Sequence, residues 1–413
     1  MTLERPLFIC DHAERLICPL PLKIDCYRGC STHCAYCSLN GLRTGISGSG
    51  NVQPNSVRYI EKFFYKHKTG MERQLIDQRS PIQIGVSADP LQPIEEQYRV
   101  TLRVLKILQD KEYPCVITTK YPTQLAEPRY LQALEGLPLA VQCSVSSEDQ
   151  AMLQRLEPGA PSLQERITAL GILNDAGVHV QLRLWPYIPD LAGNLDELLG
   201  LAHDVGVKDV LCNFLKVYHA GGTSQRINEA IGADYLKATH LKYRNAGVFQ
   251  IASYEDQIRE LSHVQDLCRS LGLNCLTCDD LLHTRNWQDC CGVGKYPGFE
   301  GIAKWAYYVN GWRITDHTSF QEYMLGQDCP WHDEFQTEWN KGKLARSVSG
   351  LRFNEQDKTY SRSDKSCVEE VEQQKSLRQG NLGSRVDPRS REEPSEEIRS
   401  ERRRTRFCLK MAR

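Results

Sequence analysis

The sequence predicts an α/β fold built on a parallel sheet. Six short apolar segments rich in β-branched residues alternate with longer segments whose apolar residues recur at helical spacing. Strand and helix repeats of this kind give parallel strands joined by right-handed crossovers. Such strands form either a full or partial (β/α) barrel or an open doubly wound sheet, and the pattern alone does not separate the two. In a barrel, the chemistry gathers at the carboxyl ends of the strands.

The elements follow one another in regular order along the first half of the chain. The predicted strands are residues 23–26, 82–90 (ending in an Asp-Pro turn), 115–120, 139–146, 179–185 and 210–217. The predicted helices are residues 57–65, 94–111, 130–137, 163–176 and 195–205, and after the sixth strand 234–244 and 255–271. Residues 41–56, rich in Gly, Ser and Asn, predict a loop.

These elements suggest a division into four parts. We expect a leader at residues 1–20, which forms an edge strand or a cover, and a core barrel at 21–220. A C-terminal extension rich in cysteine and aromatic residues follows at 221–349. Residues 350–413 turn to Ser, Arg, Glu and Gln with few apolar residues, which predicts a disordered charged tail.

Composition excludes several classes of protein. The net charge of −1 over 413 residues points to no particular partner. No signal pattern opens the chain, and no apolar run approaches the roughly 20 residues of a membrane helix. Several of the 17 cysteines cluster at metal-ligand spacing. We therefore predict a cytoplasmic protein that binds metal, not a secreted disulfide framework.

The cysteines that carry most information lie directly after the first predicted strand, in Cys30-Ser-Thr-His-Cys34-Ala-Tyr-Cys37. Three thiolates this close in sequence can reach one metal centre from one loop. A [4Fe–4S] cluster normally takes four thiolates, so three would leave one iron open. Tyr36 can pack beside such a cluster. The alternative is a zinc knuckle or chance clustering, although zinc usually takes pairs of cysteines separated by a longer loop.

The C-x3-C-x2-C spacing, with an aromatic residue before the last cysteine, resembles the signature of the radical S-adenosylmethionine (radical SAM) superfamily. The resemblance implies a partial (β/α)6 barrel in which Cys30, Cys34 and Cys37 hold a [4Fe–4S] cluster. It also implies that the open iron binds S-adenosylmethionine and that a flavodoxin- or ferredoxin-like protein donates the electron. Cleavage of the sulfonium then gives a 5'-deoxyadenosyl radical, which abstracts hydrogen from a substrate.

Several segments within residues 20–190 resemble the spore photoproduct lyase branch of that superfamily, which repairs a thymine dimer in DNA. They are Val116-Ile-Thr-Thr-Lys-Tyr121, Ser144-Val-Ser146, and Leu156-Glu-Pro-Gly-Ala followed by Arg166 and Ala176-Gly177. The residues expected to bind the cofactor are Lys120, Ser144, Ser146, Asp89, Arg166 and Tyr36. Lys120 would pair with the carboxylate. Simpler roles stay open: a solvated lysine, serines that cap a helix, a turn aspartate and an intrahelical salt bridge.

One position departs from the lyase pattern. The branch has a hydrogen-returning cysteine on its second strand, and the matching place here is near Val86, which has no thiol. Cys115 and Cys143, on neighbouring strands, are the candidate substitutes. Cys143 alternates with Ser144, so the two should face opposite ways. Modification of another base, or of another substrate, is therefore an alternative to the lyase reaction.

A second cysteine group lies in the extension. Cys275, Cys278, Cys290 and Cys291 form a candidate site for an auxiliary iron–sulfur cluster or zinc, with Cys329, Cys268 or His283 as a further ligand. The alternative is a set of reduced thiols in an aromatic-rich subdomain. The basic C-terminus and these aromatics make nucleic acid a candidate partner, although most such aromatics are core and most charged tails are solvated.

Three hypotheses follow. The first is a radical SAM enzyme that acts on a nucleobase in DNA or RNA, and a wide mouth beside a basic groove would favour it. The second is a radical SAM enzyme that acts on a small molecule or peptide with an auxiliary cluster. The third is a non-catalytic metal-binding module that contacts nucleic acid.

Overall fold

The computed structural model describes residues 7–9, 20, 22–37, 52–65, 76–219, 221–246, 249–278, 291–301, 351–354 and 359–362. The chain divides into two units, one of Met1–Cys10 with Ile17–Gly311 and one of Asp11–Leu16 with Trp312–Arg413. The first unit contains the sheet and the candidate site. Among the described residues, no helix is long and apolar enough to cross a membrane. The four-part division predicted from the sequence stays a prediction.

The strands are β1 (Leu7–Ile9), β2 (Leu22–Ile24), β3 (Tyr27–Arg28), β4 (Gln53–Pro54), β5 (Ile82–Ile84), β6 (Cys115–Thr119), β7 (Leu139–Ser144), β8 (His179–Tyr187), β9 (Asp209–Phe214), β10 (Lys216–Tyr218), β11 (Tyr243–Ala246), β12 (Phe249–Ala252), β13 (Asn274–Leu276), β14 (Leu351–Asn354) and β15 (Thr359–Arg362). The helices are α1 (Arg58–Tyr65), α2 (Glu95–Tyr98), α3 (Val100–Asp110), α4 (Pro122–Leu125), α5 (Pro128–Leu134), α6 (Gln150–Leu156), α7 (Leu163–Asp175), α8 (Leu195–Asp204), α9 (Thr223–Ile231), α10 (Tyr235–Ala238) and α11 (Tyr254–Ser270).

The main sheet has eight strands in the order β1-β2-β5-β6-β7-β8-β9-β13. β1 runs antiparallel to β2, and the other seven strands are parallel. Six of the seven are the predicted strands, in chain order, so the predicted α/β fold with a partial barrel is confirmed. β10, β11 and β12 form a separate antiparallel sheet.

Three sequence predictions need correction. Residues 94–111 form two helices because Arg99 takes a left-handed conformation, with φ 52°, between α2 and α3. Residues 234–244 are helical only over α10, and their end enters β11, which pairs with β12. The extension also adds a seventh parallel strand, β13, whose three residues are too few to give a periodic signal.

Polar side chains cross the middle of the sheet on one face. They hydrogen-bond from strand to strand in the order Lys23, Gln83, Thr118, Gln142 and Gln181. We call this side the polar face. Right-handed crossovers between strands in sequential order place their helices on one side of the sheet. The polar face is instead contacted by a non-helical segment, because Gln181 Nε2 donates to the carbonyl of Cys291 at 2.9 Å. We therefore assign the polar face to the barrel interior.

The segment of residues 291–301 fills the end of this interior near the amino ends of the strands. Cys291, Val293 and Phe299 are buried against Val116 and Ala140, near the starts of β6 and β7. At its outer edge, the ring of Tyr296 stacks on His179 at 3.7 Å between centroids. The carboxyl ends of the strands lie at the opposite end of the sheet, where the site residues gather.

Candidate cluster site

The three cysteines of the sequence motif lie on the loop that follows β2 and β3, and we call residues 30–37 the cluster loop. Cys34 is buried, and Cys30 and Cys37 are partly exposed. Two bonds fold the loop: the amide of Cys37 donates to the carbonyl of Cys34 at 3.1 Å, and Cys30 Sγ lies 3.2 Å from Thr32 Oγ1. Burial raises the pKa of Cys34, the charge of Lys120 opposes the rise, and Cys30 and Cys37 add to it. The thiols are therefore close enough to influence one another.

Gln92, fully buried, holds the first half of the cluster loop. Its Oε1 accepts from the amide of Ser31 at 2.8 Å and from Ser31 Oγ at 3.0 Å. Its Nε2 donates to the carbonyls of Gly29 and Asp89, both at 3.0 Å. Three of these four bonds tie Ser31 and the preceding Gly29 to the segment after β5, and the fourth lies within that segment.

The second half of the loop packs on the segment after β7. The amide of Ala35 donates to Leu156 O at 2.8 Å, and the amide of Gly159 donates to Thr32 O at 3.1 Å. A Cβ on Gly159 would lie 2.7 Å from Ser31 O, so this close approach requires glycine. Gly159 belongs to the Glu-Pro-Gly-Ala sequence identified above.

Glu157 is the centre of a buried charge network beside the loop. Arg166 Nη1 lies 2.6 Å from Glu157 Oε2, and both side chains are fully buried. The hydroxyl of Tyr36 donates to Glu157 Oε1, and Lys120 Nζ lies 3.9 Å from the same oxygen and 5.5 Å from the Tyr36 ring centroid. Burial acts to raise the pKa of Glu157, but Arg166, Lys120 and Tyr36 outweigh it and lower the pKa. The carboxylate is therefore ionised, and its negative charge offsets the positive charges of Arg166 and Lys120.

Arg166 and Lys120 differ in what they are free to do. Arg166 also donates to the carbonyls of Ser144 at 2.8 Å and Pro161 at 2.9 Å. Arg166 thus bonds Glu157, outside its own helix, and no intrahelical salt bridge forms. Lys120 keeps 13% of its side chain exposed, and its ion pair with Glu157 is long, at 3.9 Å. Lys120 is therefore the cation of this network that is placed to meet an anion.

Asp89 fixes the backbone around Lys120. Its Oδ2 accepts from the amide of Lys120 at 2.7 Å, and its Oδ1 accepts from Thr119 Oγ1 at 2.7 Å and from the amide of Leu91 at 3.0 Å. Burial raises the pKa of Asp89 while these donors oppose the rise. With both oxygens bonded, Asp89 positions the end of β6.

The two predicted serines have different environments. Ser144 is buried at the end of β7, and its carbonyl accepts from Arg166. The Ser146 side chain is close enough to Glu157 to lower the pKa of that carboxylate. The helix that follows, α6, is capped by Asp149, so neither serine has the capping role that the sequence left open.

The candidate hydrogen donors, Cys143 and Cys115, lie on the same face of the sheet. Cys143 pairs in register with Thr119 and Leu182, and Cys115 pairs with Ile82 and Leu139. Because strand residues alternate, both thiols lie on the face opposite Gln142 and Ser144. Both are fully buried, and burial raises the pKa of Cys143 to about 12. Neither thiol faces the interior where a substrate radical would form.

The three described members of the second cysteine group, Cys275, Cys278 and Cys291, do not come together. Cys275 alternates with Asn274, which bonds Asp209 on the polar face, so Cys275 lies on the other face, in contact with Cys268. Cys278 instead packs with the buried group that contains Cys291. Cys290, Cys329 and His283 lie outside the described residues, as does the basic terminus.

The cluster loop could hold either a zinc ion or an iron–sulfur cluster. Among the described residues, no three Cys, His, Asp or Glu side chains are placed to hold one metal ion. A single zinc ion would need its ligands to converge on one point, whereas in an iron–sulfur cluster each thiolate binds a different iron. The three thiols, with Lys120 beside them, therefore fit a cluster better than zinc.

Three site residues were absent from the sequence prediction. Gln92 and Arg226 hold the cluster loop from distant segments and carry no local signal. Glu157 lies within a segment that the resemblance singled out, so a charge assignment there would have found it. A fourth polar group, Asp25, accepts from the amides of Val86, Ser87 and Ala88 and so fixes the loop after β5.

Comparison with known proteins gives distant relatives, and no family model matches the sequence. The chain is 23% identical over 196 residues to an uncharacterized protein of Mycobacterium tuberculosis strain H37Rv, covering 46% of this chain and 58% of that one. It is 22% identical over 217 residues to the radical SAM Nalpha-GlyT isomerase of Pseudomonas phage M6, covering 51% and 42%. The chain thus spans about half the length of the curated relatives it matches.

Two kinds of solved structure are also similar. A spore photoproduct lyase with bound AdoMet and dinucleoside spore photoproduct has a TM-score of 0.49 at 14% identity, over 67% of this chain and 80% of that one. SuiB of Streptococcus suis has a TM-score of 0.40 at 14% identity, over 64% and 51%. The resemblance to the radical SAM superfamily predicted from the cysteine spacing is confirmed by the match to the phage isomerase.

Proposed function

We propose that the chain is a radical SAM enzyme that abstracts hydrogen from a nucleobase in DNA or RNA. Cys30, Cys34 and Cys37 would hold a [4Fe–4S] cluster, and its open iron would bind S-adenosylmethionine. When bound, these groups supply a 5'-deoxyadenosyl radical at the carboxyl ends of the strands. A flavodoxin- or ferredoxin-like protein would donate the electron.

The observation that carries the proposal is the position of Lys120. Its ammonium lies at the carboxyl end of β6, and the charges of Lys120 and Cys34 act on each other. A compact cation with a partly satisfied charge suits a carboxylate such as that of S-adenosylmethionine. Lys120 would bind that carboxylate while Glu157 limits the repulsion between Lys120 and Arg166.

The remaining predicted residues support this arrangement. Asp89 would keep the backbone of Lys120 fixed, and Tyr36 would keep Glu157 oriented. Ser144 and Ser146 lie beside the same network and would offer hydroxyls to polar groups of the cofactor. Arg166 would act through Glu157, since its hydrogen bonds go to Glu157 and to the carbonyls of Pro161 and Ser144.

The nucleobase rests on the sequence resemblance to the lyase branch and on the phage relative. A base within a duplex must leave the stack to reach such a site. The amide of Val86 donates to Asp25 where the branch has a cysteine, and Cys115 and Cys143 face away. We therefore favour modification or repair of a base without hydrogen return from an internal thiol.

The small-molecule or peptide alternative depends on an auxiliary cluster. Cys275 lies on the opposite face of the sheet from Cys278 and Cys291, so the described residues do not assemble one. Iron analysis separates the two: about four irons per chain favour the first hypothesis, and about eight favour the second.

The test is anaerobic reconstitution of the full chain with iron and sulfide. With dithionite and S-adenosylmethionine, we expect 5'-deoxyadenosine, and none from Lys120→Ala at the same cofactor concentration. Thymine-containing oligonucleotides labelled with deuterium should then transfer the label into 5'-deoxyadenosine, measured by mass spectrometry. If 5'-deoxyadenosine forms but no oligonucleotide transfers label, the nucleobase is the wrong substrate class. If none forms, the enzyme assignment fails.

A further inference from the structure

An arginine from beyond the predicted core holds the second half of the cluster loop. Arg226 lies on α9, and its Nε donates to the carbonyl of Ala35 at 3.2 Å. Its Nη2 donates to the carbonyl of Cys37 at 3.0 Å. The guanidinium thus bonds both carbonyls that flank Tyr36, in the turn that carries the last two cysteines. Bonds to Gly221 O and Thr223 Oγ1 keep the side chain in place.

Within the described part of the chain, the positive charge of Arg226 is not neutralised by an ion pair. The hydrogen bonds of Arg226 go to neutral oxygens, and among the described residues no carboxylate forms an ion pair with it. The charges that act on it are those of Cys37 and Glu229. Lys120 differs, because Glu157 lies 3.9 Å away. Arg226 is therefore a fixed, half-buried cation directly beside a cluster ligand.

A neighbouring packed core keeps α9 against the loop. Cys34, Ala35 and Tyr36 are buried together with Ile227, the residue after Arg226, and with Leu215. Because this contact is apolar and separate from the hydrogen bonds, the helix should stay docked when the arginine alone is replaced. The charge can therefore be removed without removing the element that carries it.

We propose, on the basis of the function proposed above, that Arg226 is a positioning residue that holds the Cys34–Cys37 turn and raises the reduction potential of the cluster. Reduction adds one negative charge to the cluster, and a cation nearby favours the more negative form. Net charge and hydrogen bonding around a cluster are among the factors that set its potential. The electron needed for sulfonium cleavage would then be easier to supply.

The experiment is a redox titration of the anaerobically reconstituted full chain. The electron paramagnetic resonance signal of the reduced cluster measures how much of the cluster is reduced at each potential. Arg226→Gln should lower the ratio of reduced to oxidised cluster at a fixed potential by about threefold or more. Arg226→Lys, which keeps the charge, should recover most of that ratio. The matched control is Lys237→Gln, which removes an exposed cation from the next helix, α10, and should leave the ratio unchanged.

Each outcome either supports or overturns the proposal. An unchanged ratio in an iron-loaded Arg226→Gln chain overturns the proposal, as does a control that shifts equally. If Arg226→Gln takes up no iron, Arg226→Lys decides instead: a ratio equal to that of the unaltered chain supports the charge effect, and an altered ratio or absent iron overturns it. If the unaltered chain itself holds no cluster, the proposed function has failed, and this inference with it.

Discussion

Two groups of three cysteines lie in the first unit, and they differ in the charges that surround them. The loop group, Cys30, Cys34 and Cys37, spans one short loop at the carboxyl ends of the strands. The core group is formed by Cys212 on β9, Cys268 on α11 and Cys275 on β13. Cys275 hydrogen-bonds Cys268 and is affected by the charge of Cys212. Cys212 and Cys268 are fully buried.

The two groups differ in whether a nearby cation stabilises a negative charge on sulfur. Burial raises the pKa of Cys34, but Lys120 acts against that rise. At Cys275 the hydrogen bond with Cys268, burial and both neighbouring thiols all raise the pKa. Metal binding requires thiolates. A nearby cation therefore distinguishes the loop group, which is the metal site under the proposed function, from the core group.

The strongest way to break this comparison is to remove one thiol from each group. Cys34→Ala should abolish the cluster, with iron falling from about four per chain to near zero. Cys275→Ala should keep the iron and the cluster absorbance. Iron analysis and visible spectra measure both, and iron loss in the Cys275 variant alone would reverse the assignment.

The next effect concerns the charge network beside the loop group. Glu157→Gln leaves the buried Arg166 without its counter-ion, so we expect a loss of about 3–5 kcal/mol in the free energy of unfolding. The matched control is Glu165→Gln, eight positions along the chain, where an exposed carboxylate caps α7 and should cost under about 1 kcal/mol. Urea denaturation gives both values, and equal losses would contradict the buried pair.

The same carboxylate predicts a pH dependence. The pKa of Glu157 is lowered in the folded chain. Its contribution to stability is therefore present above the unfolded pKa of about 4.3 and is lost as pH falls through the lower folded pKa. The difference in urea midpoint between the unaltered chain and Glu157→Gln should be constant from pH 7 to 5.5 and shrink below about pH 4. A difference that shrinks already near pH 6 would point to another group.

Alkylation sharpens the comparison in cluster-free protein. Iodoacetamide should label the partly exposed Cys30 and Cys37 at least about tenfold faster than Cys212 and Cys268, because the reagent must reach a thiolate and the latter two sulfurs are fully buried. Peptide mass spectrometry over time measures each site. Faster labelling of the core pair would show that the second group opens more readily than the first.

The smallest expected effect is a truncation in the core group. Cys268→Ala removes one buried sulfur and its hydrogen bond to Cys275, at a cost of about 1 kcal/mol. Cluster content should not change. A loss of stability above about 4 kcal/mol, or of iron, would mean that the core group has a role beyond packing.

The sequence predicted local features well and distant contacts poorly. Alternation and β-branching identified six parallel strands, and the spacing of Cys30, Cys34 and Cys37 placed the loop group. The seventh strand, β13, was missed because its residues, Asn-Cys-Leu at 274–276, show neither alternation nor β-branching. Arg226 reaches Cys37 across 189 positions. No periodicity encodes such a contact, since it depends on how α9 docks.

The segment that fills the barrel interior near the amino ends of the strands affects how molecules can reach the site. Among the described residues, Cys291, Val293 and Phe299 occupy the approach from that end. Under the proposed function, cofactor and substrate would both enter at the carboxyl ends of the strands. The molecule that binds deeper would then arrive first and leave last, so we expect a compulsory order of binding.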